Sequence, residues 1–279
     1  MRTAHHVADI RAAEAALMAE LQKVGRGPDV LMDRAATGLA VACLALLDRV
    51  YGARVVLLVG SGDNGGDALY AGAHLARRGA RVDALLLNPD RAHSRGLAAF
   101  RSAGGRVAAD PAVLDRADLV LDGIVGIGGS GALRPEAAEL VNRAELSGGL
   151  IVAVDLPSGV DAETGEVAGA AVHADATVTF GTWKPGLLVD PGARHAGATT
   201  LVDIGLGEYL PEPAAHVLQD DDVLPPFDWL LPTADKYRRG VVGIAAGSET
   251  YTGAAVLAVA GALRGGAGMV RFAGPPAAA

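Results

Sequence analysis

The chain of 279 residues is 51% hydrophobic and 20% charged, a composition that excludes a disordered polypeptide and predicts one or two globular domains. Its 24 basic and 32 acidic residues give a net charge of −8, which argues against a general binder of nucleic acid or of anionic membranes. Cys43 is the one cysteine, so no disulfide forms within the chain, and because we find neither a long apolar run nor a signal peptide, we expect a soluble cytoplasmic protein with no membrane span.

Two helices are predicted at the start of the chain. Apolar residues at helical spacing predict a helix over residues 7–24 and a second one over residues 30–50. Neither helix belongs to a β-α-β repeat. We therefore expect the pair to cover an edge of a sheet or to make a subunit contact.

Strands and helices alternate from residue 55 onward. Strands are predicted over residues 55–59, 81–87, 118–122, 150–155, 174–180 and 199–204, and helices near residues 67–78, 91–103, 111–116 and 135–146. This alternation predicts an α/β fold, a Rossmann-like three-layer sandwich in which a mostly parallel, doubly wound sheet has helices on both faces. The two N-terminal helices are additions to that plan.

Four loops are predicted at one edge of this sheet. Right-handed crossovers place the carboxyl end of every parallel strand at the same edge, where ligands bind in folds of this class. The loops are residues 60–67, 122–134, 155–161 and 181–186. We expect their polar side chains to surround one pocket.

The first of these loops is rich in glycine. Gly60, Gly62 and Gly65 satisfy the dinucleotide-binding spacing G-x-G-x-x-G, although Asp83 lies near the start of the next strand and not at its end, where a Rossmann site needs an acidic residue. A P-loop is excluded because no Gly-Lys-Ser/Thr follows. A tight turn that binds no ligand is the alternative interpretation of this loop. Asp67 is expected to cap the helix after the loop.

Asp122 ends an apolar strand, where a carboxylate is costly unless something compensates its charge. Asn64 and Ser158 are expected neighbours across the same edge, and carboxylate, amide and hydroxyl oxygens suit a hard cation. A role for Asp122 as a simple loop cap is equally open. The seven histidines form no metal-ligand spacing, so the sequence does not indicate a transition-metal site.

Asp155 stands at the end of another predicted strand, in the sequence Asp-Leu-Pro-Ser-Gly. It can act as a general acid or base if burial raises its pKa. The second glycine-rich loop, residues 126–132, either binds phosphate through its exposed N–H groups or serves as a flexible connection. Lys184 is expected to be a solvated loop lysine, with a contact to phosphate as the alternative.

The sequence GSGDNGGDA at residues 60–68 resembles the GxGNNGGDG loop of the NAD(P)H-hydrate epimerase family, the YjeF N-terminal domain family, and residues 155–159 match that family's D-x-P-S-G motif. Asp63 and Ala68 depart from the family pattern, and Asp63 adds a negative charge beside the site. The resemblance implies an isomerase that interconverts the R and S forms of hydrated NADH and NADPH. A Rossmann-type NAD-binding dehydrogenase and a non-catalytic nucleotide-binding module are the alternatives.

The resemblance also implies roles for particular residues. Given the substrate that it implies, we expect Asp155 to be the catalytic group that moves a proton or the anchor of the substrate. The resemblance also assigns a potassium ion to Asn64, Asp122 and Ser158. The substrate-binding residues that it implies are Asp63, Asn64, Gly65, Gly66 and Asp67 in the first loop, Gly126, Ile127, Gly128, Gly129, Ser130, Gly131 and Ala132 in the second, and Asp155. It further implies a homodimer with contacts in the N-terminal region.

The last seventy residues change in character. Residues 211–235 contain five prolines and three consecutive aspartates, which predicts a linker. Residues 241–246, 253–264 and 268–273 are predicted as strand, helix and strand, and they resemble the opening of the ADP-dependent NAD(P)H-hydrate dehydratase domain, which has a ribokinase-like fold. We therefore divide the chain into an epimerase domain (1–210), a linker (211–235) and an incomplete start of a dehydratase domain (236–279). One β-α-β unit is too small for a stable core, so we expect it to be loosely ordered and without dehydratase activity.

Overall fold

The computed structural model describes residues 1–219, 222 and 235–275. The chain divides into two compact units, Met1–Val217 and Leu218–Ala279. Most of the predicted linker lies outside the described residues, so the three-part division of the chain stays a prediction.

The strands of the first unit are short, and helices connect most of them. The strands are β1 (Arg2–Ala4), β2 (Arg54–Val59), β3 (Arg81–Leu86), β4 (Arg106–Val107), β5 (Leu119–Gly123), β6 (Leu150–Val154), β7 (Ala176–Phe180), β8 (Ala198–Val202) and β9 (Ala215–Val217). The α-helices are α1 (Val7–Lys23), α2 (Val30–Leu46), α3 (Asp63–Arg77), α4 (Ser94–Ser102), α5 (Pro135–Ser147) and α6 (Gly192–His195). Short 3₁₀ helices cover Pro89–Arg91, Pro111–Arg116, Pro185–Leu187 and Gly207–Tyr209.

A seven-stranded parallel sheet forms the centre of this unit. Its strand order is β4-β3-β2-β5-β6-β7-β8. Strand β2 pairs with β3 on one side and with β5 on the other, so the order of connection reverses between β2 and β5. Loops at such a switch point separate and leave a crevice above the carboxyl ends of the strands. The predicted doubly wound α/β fold is confirmed.

Alternation along β2 shows how the sheet is covered on both faces. Val55, Leu57 and Val59 join the apolar cluster that contains residues of α1, α2 and α3. Val56 and Leu58 join the cluster that contains residues of α5. Successive strand side chains point to opposite faces, so a strand that is apolar throughout requires a helical layer on each side.

Helix α3 begins earlier than predicted, at Asp63, with Gly62 as its N-cap. Asp67 is therefore inside the helix, and the expectation that it caps α3 is wrong. Gly65 and Gly66 lie in the first turn of α3 although glycine has a low helix propensity. Glycine is needed at both positions because nearby residues leave no room for a side chain. A Cβ on Gly65 would collide with the carbonyl oxygen of Gly60, and one on Gly66 would lie 2.9 Å from the sulfur of Met32.

Other differences from the prediction are local. Helix α2 ends at Leu46, since Leu47 is already extended. The predicted helix over residues 111–116 is a 3₁₀ helix, in which Pro111 comes first and the Asp110 side chain accepts a hydrogen bond from the Ala112 amide. The antiparallel pair of β1 and β9 was not predicted, because each strand has only three residues and they lie more than 200 positions apart.

The second unit contains the predicted strand, helix and strand. They are β10 (Val241–Ile244), α7 (Gly253–Arg264) and β11 (Met269–Phe272), and the two strands are parallel. Among the helices that the structure describes, none combines the length and the apolar character needed to cross a membrane.

Candidate active site

A cavity of about 660 Å³ lies at the switch point, at the carboxyl edge of the sheet. We call it the acidic cavity, because four carboxylate side chains line it. Its lining residues include Arg11 and Glu14 from α1, Asp63, Asn64 and Asp67 from α3, Gly126, Ile127 and Gly128 from the loop after β5, Asp155 after β6 and Phe180 at the end of β7. Residues of three of the four predicted loops, those after β2, β5 and β6, therefore meet at this cavity, whereas no residue of the fourth, 181–186, lines it.

Asp155 has a left-handed backbone, with φ of +66°. Among the described residues it is the one non-glycine residue with a positive φ. Such a conformation costs about 1–3 kcal/mol and persists where the surrounding structure enforces it, often at functional sites. Here the Asp155 amide donates to the Val178 carbonyl at 2.8 Å, so Asp155 continues the hydrogen bonding between β6 and β7.

The Asp155 carboxylate is paired with the buried ammonium of Lys184, which is 1% exposed. The Lys184 Nζ atom donates to Asp155 Oδ1, to Thr179 Oγ1 at 2.9 Å and to the Phe180 carbonyl at 2.9 Å. Asp155 Oδ1 also accepts from the Phe180 amide at 3.0 Å and from Thr179 Oγ1 at 3.2 Å. All three ammonium protons are thus used, and the expectation that Lys184 is a solvated loop lysine is wrong.

The two oxygens of Asp155 have different surroundings. Oδ1 holds the lysine, the threonine hydroxyl and a backbone amide. Oδ2 accepts no hydrogen bond from any residue within the described ranges, and Asp155 lines the acidic cavity. The buried pair therefore fixes the carboxylate through one oxygen and leaves the other for a ligand.

Neighbouring carboxyl groups share the cavity with Asp155. Burial, followed by the negative charges of Asp155, Asp63 and Glu14, raises the pKa of Asp67 well above its ordinary value. Burial and then the charge of Asp155 also raise the pKa of Glu14. Repulsion between like charges in a low-dielectric site disfavours ionising all of them at once, so the site retains protons that it can donate.

Asp122 and Ser158 lie beneath the loop that follows β5. Asp122 is fully buried, and its carboxylate accepts from Ser158 Oγ at 2.6 Å, from the Ser158 amide at 2.8 Å and from the Ile124 amide at 3.3 Å. Burial raises the pKa of Asp122 to about 6, although the hydrogen bonds from Ser158 and Ile124 lower it. Asp122 does cap the loop, which was the simpler alternative, and its charge has no basic partner among the residues that the structure describes.

Asn64 lies close to the same loop. Its Oδ1 atom is 2.9 Å from the place where a Cβ on Gly126 would stand, so a larger residue there would displace the Asn64 side chain. Its Nδ2 atom is buried and has no hydrogen-bond partner in the described part of the chain. The carbonyl of Val125 lies 3.1 Å from Ser158 Oγ and adds another oxygen to this region. A carboxylate without a basic partner beside hydroxyl, amide and carbonyl oxygens fits a hard cation, and such a cation would also offset the cost of burying Asp122.

A second cavity, of about 500 Å³, adjoins the first and shares Ser61, Ile124, Val125 and Gly128 with it. We call it the arginine cavity, because Arg91 and Arg134 line it, together with one carboxylate, that of Glu136. Gly129, Ser130, Gly131 and Ala132 line this cavity and not the acidic one. The second glycine-rich loop thus divides between two cavities of different charge.

Some predicted site residues do not reach either cavity. Gly65 and Gly66 are buried at the start of α3, where they permit close packing against Gly60 and Met32. Asp122 and Ser158 are buried and do not line the acidic cavity. The residues that sequence reasoning missed are Arg11 and Glu14 on α1, and Thr179 within β7.

Glu14 and Thr179 carried no signal that distinguishes them from ordinary positions. Glu14 lies on a helix with a regular apolar pattern, so it looks like one more solvated residue. Lys184 had one usable signal, since it follows a buried strand by only four positions, and a basic side chain held at that edge of the sheet can pair with a carboxylate there.

Comparisons with known proteins agree with this architecture. A family model described as "YjeF-related protein N-terminus" matches residues 28–186. The chain is 51% identical to a "Bifunctional NAD(P)H-hydrate repair enzyme Nnr" of Mycobacterium leprae, over 98% of this chain and 56% of that protein. It is 45% identical to an "NAD(P)H-hydrate epimerase" of Microbacterium testaceum, over 75% of this chain and 81% of that protein. The chain therefore spans about half the length of the bifunctional relative.

The fold also occurs in a solved structure from yeast. The crystal structure of the yeast protein YNL200c superposes on this chain with a TM-score of 0.59 at 19% identity. The superposition covers 79% of this chain and 98% of the yeast chain. At this identity the likeness supports the fold alone.

Proposed function

The chain belongs to the family of YjeF-related protein N-termini, and from this membership we propose that it is an NAD(P)H-hydrate epimerase, an isomerase of nicotinamide nucleotide repair. Its substrates are the R and S forms of hydrated NADH and NADPH. The single observation that carries the proposal is the Asp155–Lys184 pair, which leaves one carboxylate oxygen for a ligand in a cavity at the switch point.

The charges of the two cavities support one orientation of the substrate. Phosphate groups are repelled by the carboxylates around Asp155 and attracted by Arg91 and Arg134. The hydrated nicotinamide ring has no phosphate of its own and suits the acidic cavity. We therefore place the ring over Asp155 and the phosphates toward the arginine cavity, beside the start of α3 and the second glycine-rich loop.

The chemistry requires a group that moves a proton. The carbon to be inverted carries a hydroxyl oxygen and the ring nitrogen, so inversion breaks and re-forms either the C–O or the C–N bond. Asp155 is the catalytic residue in this proposal, and its Oδ2 atom exchanges the proton. Lys184 and Thr179 are positioning residues, since they hold Oδ1 and do not line the acidic cavity.

A dehydrogenase is less well supported by the same geometry. Asp83 lies in the middle of β3 and is paired with Arg106 at 2.9 Å, so it is not free at the strand end to hold a nicotinamide ribose. A non-catalytic module does not need a carboxylate that is held through one oxygen and presents the other to a cavity. Neither alternative is favoured by a specific observation.

A potassium ion held by Asn64, Asp122 and Ser158 is part of the proposal. The fit of these oxygens supports it, and a bound cation would order the loop after β5 that separates the two cavities. A test compares thermal unfolding in KCl with unfolding in tetramethylammonium chloride at equal ionic strength. We expect KCl to raise the melting temperature of the wild type but not of Asp122→Asn. An equal response of both proteins would contradict the proposed potassium site.

A homodimer also belongs to the proposal, on the family resemblance of the N-terminal region. Light scattering on the purified chain tests the homodimer, and a monomer at all concentrations would contradict it. Absence of dehydratase activity stays a prediction, tested by adding ADP and the hydrate to the same preparation.

The proposed activity has a direct assay. One purified epimer of hydrated NADH is mixed with the chain, and appearance of the other epimer is followed by chromatography against an uncatalysed sample. We expect rapid equilibration, and equal rates with and without the chain would overturn the proposed function.

A further inference from the structure

We propose that Asp67 is the proton donor that works opposite Asp155 in the acidic cavity, an inference that rests on the proposed epimerase function. Both side chains line this cavity. Asp155 is bonded to an ammonium, whereas the Asp67 side chain makes no ion pair or hydrogen bond with any residue that the structure describes. The two carboxyl groups therefore line one cavity in different electrostatic states.

The surroundings of Asp67 contain more acidic than available basic groups. The charged and titratable residues that share a cavity or an electrostatic interaction with Asp67 are Arg11, Glu14, Asp29, Asp63, His93, Arg95, Asp155 and Lys184. Two of the three cations are already used, since Arg95 pairs with Asp29 at 2.6 Å and Lys184 pairs with Asp155.

The remaining imbalance fixes the state of Asp67. Burial disfavours a negative charge at Asp67 most strongly, and repulsion from Asp155, Asp63 and Glu14 adds to that effect, whereas Lys184 acts in the opposite direction. The pKa of Asp67 is raised for these reasons, so its carboxyl keeps a proton at pH values where an ordinary aspartate has lost it. Paired titratable groups whose environments differ in this way are the usual arrangement of a general acid with a general base.

Inversion of the substrate carbon needs both a donor and an acceptor. If the C–O bond breaks, Asp67 gives its proton to the hydroxyl oxygen, which leaves as water with the bonding pair, and the lone pair of the ring nitrogen forms a C=N bond. Asp155 then takes a proton from a water molecule as the oxygen of that water adds to the other face and the C=N pair returns to nitrogen. One hydroxyl is lost and one gained, and the proton moved from Asp67 to Asp155 returns through water in the cavity.

The same two roles apply if the C–N bond breaks. Asp155 takes the hydroxyl proton as the C=O bond forms, and Asp67 gives its proton to the ring nitrogen as that atom receives the C–N pair. Rotation and closure reverse both transfers. Asp67 is a donor in either route, so the inference does not depend on which bond breaks.

The test is the pH dependence of the epimerisation rate in three variants. We expect Asp67→Asn to lower kcat about 100-fold with KM changed less than threefold, since a general acid contributes roughly 10²–10⁴-fold. In the wild type kcat falls at alkaline pH as the donor loses its proton, and Asp67→Asn lacks this alkaline limb. Asp67→Glu restores a measurable part of kcat together with the limb. Asp33→Asn makes the same substitution at an exposed carboxyl on α2 that does not line the acidic cavity, and it keeps the wild-type profile.

Thermal melts and titration with NADP⁺ show whether each variant is folded and binds nucleotide. A folded Asp67→Asn protein with at least a third of the wild-type kcat, or with the alkaline limb intact, overturns the donor role while leaving the epimerase proposal standing. A loss that appears only in KM overturns it as well. Failure of the wild type to equilibrate the epimers instead overturns the proposed function itself.

Discussion

Lys184 donates its ammonium protons to Asp155 Oδ1 and to two oxygens of β7, and this contact joins the ends of two neighbouring strands beneath the acidic cavity. The pair is buried, so each charge depends on the other. Removing one partner of a buried ion pair typically destabilises a protein by about 3–5 kcal/mol, because the remaining charge is left uncompensated.

Lys184→Met is therefore expected to lower the free energy of unfolding by about 3 kcal/mol or more, as measured by urea denaturation near neutral pH. The double variant Lys184→Met with Asp155→Asn removes both charges and is expected to recover part of the loss. Additive losses in the double variant would show that the pair contributes no coupling to stability.

Asp122 predicts a dependence of stability on pH. Its pKa is 3.8 in the unfolded chain and about 6 in the folded one, so the folded state disfavours its ionised form. The stability contributed by the protonated form is fully present below about pH 4 and is lost as the pH rises through about 6. This difference between the folded and unfolded pKa corresponds to about 3 kcal/mol in the free energy of unfolding.

The measurement compares urea unfolding of the wild type and Asp122→Asn between pH 4 and 7.5, without potassium. The difference in stability between the two proteins should shift by roughly 3 kcal/mol in favour of the variant across that range. A constant difference would show that Asp122 does not titrate in the folded protein as described.

The first turn of α3 offers a matched pair of glycine substitutions. Gly65→Ala places a Cβ against the carbonyl of Gly60, whereas a Cβ on Gly62 meets nothing within 4 Å. We expect Gly65→Ala to lower the free energy of unfolding by about 1–3 kcal/mol, and Gly62→Ala, which replaces the N-cap of α3, to lower it by less than about 1 kcal/mol. Similar losses at both positions would contradict the close packing of the loop.

The arginine cavity predicts a change in substrate binding without a change in chemistry. Arg91→Gln with Arg134→Gln should raise KM several-fold and leave kcat nearly unchanged, because contacts to phosphate are made equally before and during the reaction. Arg143→Gln is the control, since Arg143 pairs with Asp115 and lies outside this cavity. A fall in kcat with constant KM would place the arginines near the reacting carbon instead.

Much of the fold was accessible from the sequence, because apolar strands alternate with helices over a long stretch. That alternation fixes a parallel sheet, and the sheet fixes which loops meet. It therefore brought Asn64, Asp155 and residues 126–128 to one cavity. The family resemblance added the chemistry of the substrate, which spacing alone does not supply.

The missed features depend on contacts between residues far apart in the chain. Nothing near Lys184 in the sequence shows that Asp155 lies beside it, and Glu14 reaches the cavity only because α1 packs over the sheet edge. Asp67 was misplaced as a cap because the glycines before it, normally helix breakers, lie inside α3.

The most direct test of the account is the rate at which Asp155→Asn equilibrates the two epimers of hydrated NADH. The substitution keeps the size of the side chain and removes the proton acceptor, and melts show whether the protein stays folded without the charge opposite Lys184. We expect a folded protein whose kcat is at least about 100-fold below that of the wild type. A folded Asp155→Asn protein that equilibrates the epimers at the wild-type rate would contradict the central role of Asp155.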